Sequence, residues 1–260
     1  LKVACKMKCA VVQFDTRKDH AFQELVDQNI EYCKGSGAEH VMATGGSGIP
    51  PYWGKVRACL AVAESGNYDA ALFLDTDAVV MDFSMQIGDL LKEGVIFTAG
   101  GNAKFNAGAF AVRCNQDGVS FLKEWMSCYR ERDWELSGSK WKCLNGGWAG
   151  IAYEQGSLNE LIVPKYKDSV ATAGWETFLH CDSIREKPDD LYVPDFQKFA
   201  NAMRRAGVVH FCGQYRVLIP VRKIAREGRL ALFDARDADQ SRAMQDAAAA
   251  CRDGGVDLNK

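Results

Sequence analysis

The sequence predicts an α/β fold that opens as a Rossmann-like run of parallel βαβ units, strands flanked by helices, and three observations carry that reading. Apolar runs of strand length alternate with segments of 10 to 15 residues whose apolar positions recur at helical spacing, which implies parallel βαβ units. One of those runs, Leu72-Phe73-Leu74, leads straight into Asp75-Thr76-Asp77, so two carboxylates stand where open α/β sheets keep their ligand crevice. The chain has 260 residues, 47% hydrophobic and 25% charged, which is enough core material for one large α/β domain or two small ones, and no linker or repeat divides it.

The elements follow in order. Residues 8–14, "KCAVVQF", form a buried first strand, and residues 15–19 a polar turn. A helix over 20–34 carries Phe22, Leu25, Val26, Ile30 and Cys33 on one face, and Gly35 and Gly37 stop it. "HVMA" is a short second strand. The stretch 44–55 holds four glycines and two prolines and is expected to be irregular. A helix then runs from Trp53 to about Ser65 with Val56, Cys59, Leu60 and Ala63 on one face, and 70–75 is the third strand. A helix is expected around 84–92 and strands at 95–99 and 107–113. Asn115 caps a helix bearing Val119, Leu122, Trp125, Met126 and Tyr129. The segment 132–150 lacks periodicity and is expected to be loop. Residues 207–211, "GVVHF", make a late strand, and an Ala-rich helix is expected from about 234, closed by Gly254 and Gly255. The division expected is a catalytic domain over 1–225 and a helical tail over 226–260.

A formal net charge of −2 provides no general attraction to nucleic acid or anionic membrane, so an anionic ligand must be held locally. The sequence carries no apolar run of membrane-span length and no signal peptide, although a chain beginning at Leu1 is consistent with a trimmed upstream segment. Cys5 and Cys9 form a C-x3-C pair with no second close pair to complete a zinc site. Cys59 and Cys212 read as small core residues, and disulfides stay open.

In an extended chain residues i and i+2 point the same way, so Asp75 and Asp77 can converge on one cation. Hard carboxylate oxygens suit Mg²⁺ or Mn²⁺, ions that usually share their site with phosphates. The alternative is an Asx-turn in which Asp75 caps the following amides. A haloacid-dehalogenase-like phosphatase also presents D-x-D behind an apolar strand, but it places that strand near the start of the fold and needs a later Lys and acidic pair.

The segment "PYWGKVRACLAVAESGNYDAALFLDTDAVV" resembles the donor site of retaining glycosyltransferases of the GT-A fold. It is most similar to glycosyltransferase family 34, the xyloglucan xylosyltransferases and yeast Golgi α-mannosyl- and α-galactosyltransferases. Three further blocks keep the family's order: "FNAGAFAVR" (105–113), "YEQGSLNEL" (153–161) and "VVHFCG" (208–213). The resemblance implies a metal held by Asp75, Asp77 and His210. It implies donor contacts from Gln13, Lys55, Asp75, Asn106, Gly108 and Gly213, and a position beside the anomeric carbon for Gln155, with Glu154 next to it. Read from local sequence alone, Asn106 and Gly108 make either a simple turn or a close backbone approach for a ligand, Glu154 and Gln155 an amphipathic helix start with Leu158 and Leu161 inward, Lys55 either a solvated charge or the local cation a diphosphate needs, and His210 a core histidine. Trp53 reads as packing.

The implied reaction moves a sugar from a nucleotide-diphosphate donor, UDP favoured, to a hydroxyl on a glycan or glycoprotein, with Mn²⁺ or Mg²⁺ and with retention. Localisation is open from the sequence: the resemblance implies the Golgi lumen if an anchor was removed, and the cytoplasm otherwise. The 132–150 segment matches no block and would hold acceptor specificity. Its Trp134, Trp141 and Trp148 either stack on sugar rings or anchor the loop. A non-catalytic carbohydrate-binding protein would explain those aromatics, but it leaves a diphosphate-type metal site without a purpose.

Overall fold

The computed structural model describes residues 7–17, 22–44, 48–101, 104–181, 196–219 and 221–226. Strand β1 (Cys9–Asp15) leads to helix α1 (Gln23–Ser36), which ends where Gly37 adopts a left-handed φ of 78° and returns its N–H to Cys33 O. Strand β2 (Glu39–Thr44) precedes helix α2 (Pro51–Glu64). That helix starts two residues before Trp53, inside the stretch expected to be irregular. Proline is favoured at a first helical position because its missing N–H would have had no partner there. Strand β3 (Ala70–Leu74) is buried on both faces. Ala71 and Phe73 pack with Trp53, Phe110 and Trp125, whereas Leu72 and Leu74 pack with Tyr32, Val80 and Phe178. A parallel strand covered on both sides reads as an unbroken apolar run for this reason.

Beyond the Asp75–Asp77 turn come β4 (Ala78–Val80), β5 (Phe97–Gly100), β6 (Ala109–Arg113) and helix α3 (Gln116–Ser127). Asn115 caps α3 as expected, its Oδ1 accepting from Gly118 N at 3.0 Å. The helix expected at 84–92 is instead a single 3₁₀ turn, Ile87–Leu90. Asp82 accepts from Ser84 N and diverts the backbone, and Gly88 disfavours propagation. The segment 132–150 is not all loop, since β7 (Trp134–Ser137) and β8 (Lys140–Cys143) form an antiparallel hairpin turning at Gly138, φ 61°. The Gly-Ser pair at that turn is the signal that periodicity alone overlooks.

Helix α4 (Glu154–Ser157) runs directly into a π-helical turn, Leu158–Ile162. Leu158 is fully buried there and Leu161 partly so. Strands β9 (Val170–Ala173) and β10 (Phe178–His180) and helix α5 (Phe196–Arg205) follow, none of them anticipated from the sequence. Strand β11 (Val208–His210), a 3₁₀ helix at Gly213–Leu218 and helix α6 (Val221–Arg226) complete the described chain. The helix expected from 234, and Cys5 of the C-x3-C pair, lie outside the described residues. No described helix is long and apolar enough to cross a membrane.

The main sheet has six strands in the order β2-β1-β3-β6-β5-β9, and only β6 runs against the rest. The chain steps from β1 outward to β2 and then back to β3 on the other side. This makes the carboxyl ends of β1 and β3 a topological switch point. A second sheet, β10-β11-β4, packs on the face that α2 and α3 leave open. The Asp75–Asp77 turn joins the two sheets.

Candidate active site

Asp75 and Asp77 sit on a tight turn rather than on an extended strand. Asp75 N donates to Gly108 O at 2.7 Å, and Ala78 N closes the turn on Asp75 O at 2.8 Å. The carboxylates therefore converge through the turn, not through the strand alternation expected from the sequence. Asp75 is partly exposed, while Asp77 is 4% exposed.

His210 reaches them through strand pairing. Strand β11 lies antiparallel to β4 with His210 opposite Ala78, and Phe211 N donates to Asp77 O at 2.9 Å. The His210 Nε2 atom comes within 3.4 Å of Asp77 Oδ1 and 3.8 Å of Asp75 Oδ2. One ligand atom from each of the three residues lies within 4.8 Å of the others. The turn expected at Asn106 and Gly108 is present, with Asn106 Oδ1 accepting from Gly108 N at 2.8 Å. It also has a second purpose. A Cβ on Gly108 would lie 2.6 Å from both ring nitrogens of His210, so only glycine admits the imidazole.

The three side chains set one another's charge. Burial opposes the charge on Asp77, but His210 and Arg216 overcome it and hold the carboxyl well below the usual range. Burial likewise opposes charge on His210, and Asp77 and Asp75 reverse the effect and raise it. His180 lies behind His210, with their Nδ1 atoms 3.0 Å apart; burial, then the charge on His210, lowers His180 to about 3.

Lys55 is not a solvated helix charge. It is buried, with its ammonium 2.8 Å from Asp75 Oδ1, 3.4 Å from Glu154 Oε1 and 3.4 Å from Ala107 O. Burial alone would lower its pKa, but the two carboxylates push it above the ordinary lysine value. Glu154 is held above the usual carboxylate range, chiefly by burial and further by Asp75, with Lys55 opposing.

Gln155 Oε1 accepts from Ala107 N at 2.9 Å, tying α4 to the loop that carries Gly108. Asn159, on the π-helical turn, completes that tie by pairing with both backbone groups of Phe105 at 2.7 and 2.9 Å. Gln13 is fully buried and supports the turn from behind, donating to Asp75 O at 3.4 Å and meeting His40 Nε2 through Oε1 at 2.9 Å. Trp53 packs as expected and donates to Ala152 O at 3.0 Å.

Gly213 turns the chain with φ 58° into the 3₁₀ helix that brings Arg216 onto Asp77 Oδ2 at 2.8 Å. Sequence reasoning missed Arg216, His180 and Asn159. Arg216 had one available signal, its place three residues after Gly213 in the last matched block. His180 had none, since its strand is three residues long.

Of the three tryptophans in 132–150, Trp134 is buried and Trp141 partly buried, whereas Trp148 is 74% exposed. Trp148 stands edge-on to Tyr52 at 5.3 Å and to Tyr153 at 5.2 Å. These two tyrosines lie one turn before Lys55 and one residue before Glu154, so the exposed indole stands at the rim of the site.

No protein-family model and no curated protein sequence matches this chain. Solved structures do. A glycosyltransferase involved in glycosylation of the major capsid of PBCV-1 aligns with a TM-score of 0.56 and 16% identity over 85% of this chain and 98% of its own. The bifunctional glycosyltransferase WbbM aligns at 0.51 and 12% identity over 94% of this chain, and the glycosyltransferase GlyE of Streptococcus pneumoniae TIGR4 at 0.50 and 13% over 93%. The chain spans 52% of WbbM and 63% of GlyE. The mixed sheet flanked by helices is the GT-A fold expected from the sequence.

Proposed function

We propose that this chain is a metal-dependent glycosyltransferase, moving a sugar from a nucleotide-diphosphate donor, UDP-linked by preference, to a hydroxyl of a glycan or glycoprotein acceptor. The observation that carries the reading is the convergence of Asp75, Asp77 and His210 at the carboxyl end of β3, with ligand atoms within 4.8 Å of one another. Two carboxylates and an imidazole fit Mn²⁺ better than Mg²⁺, which prefers an all-oxygen shell. Arg216 occupies Asp77 Oδ2, so Oδ1, the oxygen facing His210, is the one offered to an ion. A divalent ion held there would neutralise charge developing on a departing diphosphate.

The chain's own residues do the rest. Lys55 fixes Asp75 in place, and Arg216 adds a partly exposed cation beside the diphosphate position. The Oε1 of Gln155 is committed to Ala107 N, so its amide donors are what it can offer a sugar hydroxyl. Gln155 therefore orients rather than attacks. The resemblance supports retention, with same-face attack assisted by the leaving phosphate, and Glu154 as the neighbouring carboxyl. We assign the catalytic unit to residues 1–225 and a separate tail to 226–260.

The phosphatase reading is disfavoured because it needs Asp77 to exchange protons with substrate, and Asp77 is buried between His210 and Arg216. Calorimetry with UDP and with GDP, with and without Mn²⁺, tests the proposal. Binding that is tight with Mn²⁺ and lost on chelation is expected. Equal affinity after chelation, or no binding to either nucleotide, would refute it. A hydrolysis screen across UDP- and GDP-sugars then identifies the donor.

A further inference from the structure

His180 belongs to none of the roles above, yet it is placed with care. Strands β10 and β11 are parallel neighbours with His180 directly beside His210. The two rings meet edge to face, centroids 5.2 Å apart and planes at 85°, which brings Nδ1 to Nδ1 at 3.0 Å. Both side chains are buried. Two nitrogens at that separation hold one proton between them: with none the lone pairs collide, and with two the protons do.

If His180 donated that proton, His210 would accept on Nδ1 and, as a neutral ring, carry its hydrogen on Nε2. No lone pair would then face the carboxylates. If His210 donates, Nε2 is the nitrogen left to face Asp75 and Asp77 as a ligand. His180 then carries its own hydrogen on Nε2, the edge lying against Gly100, where a Cβ would come within 2.8 Å of that nitrogen. A glycine at 100 gives the ring room to stand there.

We propose that His180 is a positioning residue: it accepts the Nδ1 proton of His210 and so fixes the ring and tautomer in which Nε2 of His210 can hold a divalent cation. This rests on the metal reading of the site. Partners of this kind are worth 10- to 100-fold in metal affinity, because a metal-ligating imidazole needs its other nitrogen anchored.

The test compares two substitutions. His180→Phe keeps a ring of similar shape but offers no acceptor, whereas His180→Asn places an oxygen near the former Nδ1. Mn²⁺ alone, followed by calorimetry, should bind His180→Phe at least ~10-fold more weakly than wild type and His180→Asn nearly as well as wild type. Thermal melts of the metal-free variants separate this effect from unfolding. If His180→Phe binds Mn²⁺ within about twofold of wild type, or if Asn rescues nothing, the proposal is overturned. Long-range ¹⁵N–¹H spectra of the metal-free wild type give an independent reading. A proton on His210 Nδ1 is expected, and one on His180 Nδ1 would overturn the assignment even if neither variant folds. Wild-type protein that binds no Mn²⁺ would sink the metal reading itself, while the spectra would still decide which ring donates.

Discussion

Gly108→Ala offers the sharpest probe of the site, because one methyl group is aimed at a single side chain. The added Cβ would lie 2.6 Å from Nδ1 and from Nε2 of His210, and the Cε1 atom between them is closer still. Comfortable contact between such atoms begins near ~3.5 Å, so the ring must withdraw by about 1 Å or more. It has little room to do so, because His180 stands behind it at 3.0 Å and β11 is locked to β4 in register. Coordination tolerates deviations of only about 0.2 Å, so a displaced imidazole leaves the ligand set and Mn²⁺ affinity should fall by ~10-fold or more. Overpacking a rigid core costs about 1–3 kcal/mol of stability. In a His210→Ala background the three nearest obstacles are gone, and the same methyl should cost under ~0.5 kcal/mol. Urea denaturation of the four proteins measures the coupling, which should be at least about 0.5 kcal/mol. Equal costs for Gly108→Ala in both backgrounds would show that the glycine serves the backbone and not the histidine, and the reasoning would fail.

Three other outcomes are expected. Lys55→Met should lower stability by about 3–5 kcal/mol, since it leaves Glu154 buried without its cation and Asp75 with only the longer contact to His210. Adding Glu154→Gln should recover part of the loss, and an unchanged melting temperature in the single variant would place Lys55 outside the buried network. Metal-free protein should lose stability as pH falls below about 6.5, because the unfolded chain protonates His180 there while burial keeps the folded ring neutral down to about 3. His210 has the opposite sign: its raised value contributes below the unfolded pKa and is lost as pH rises through the folded one. His180→Asn should therefore flatten the acid limb between about pH 6.5 and pH 5, by up to ~1.4 kcal/mol per pH unit, and an unchanged slope in urea midpoints would reject the assignment. Trp148→Ala should leave stability within about 0.5 kcal/mol of wild type while raising KM for the acceptor and sparing donor hydrolysis. An acceptor KM that does not move would remove Trp148 from the acceptor site.

Local chemistry made much of the fold readable in advance. The strand at 9–15, the helix capped by Asn115, the stop at Gly37 and the carboxylate pair beyond Leu74 are each marked by a residue pattern within a few positions of chain. The matched blocks likewise placed Asp75, Asp77, Lys55, Gln155 and His210 on a common list, but not in common contact. What periodicity could not show were the short elements. Strands β4 and β10 have three residues each, too few to display alternation; β11 was legible as the apolar run at 207–211, but its pairing with the other two was not. That small sheet sets His210 against Asp77, sets His180 behind His210, and leads the chain on to Arg216, which meets Asp77 across 139 residues of sequence. A hydrogen-bonded register between distant strands is chosen by competition among all the pairings the chain could make, and no window of local sequence holds that information. The sequence by itself therefore determined which groups could bind a cation. The tertiary structure alone decided that they meet at one place, with Lys55 and Arg216 holding the carboxylates and His180 behind the imidazole, because burial made each of those charges and protons depend on a partner the neighbouring sequence does not supply.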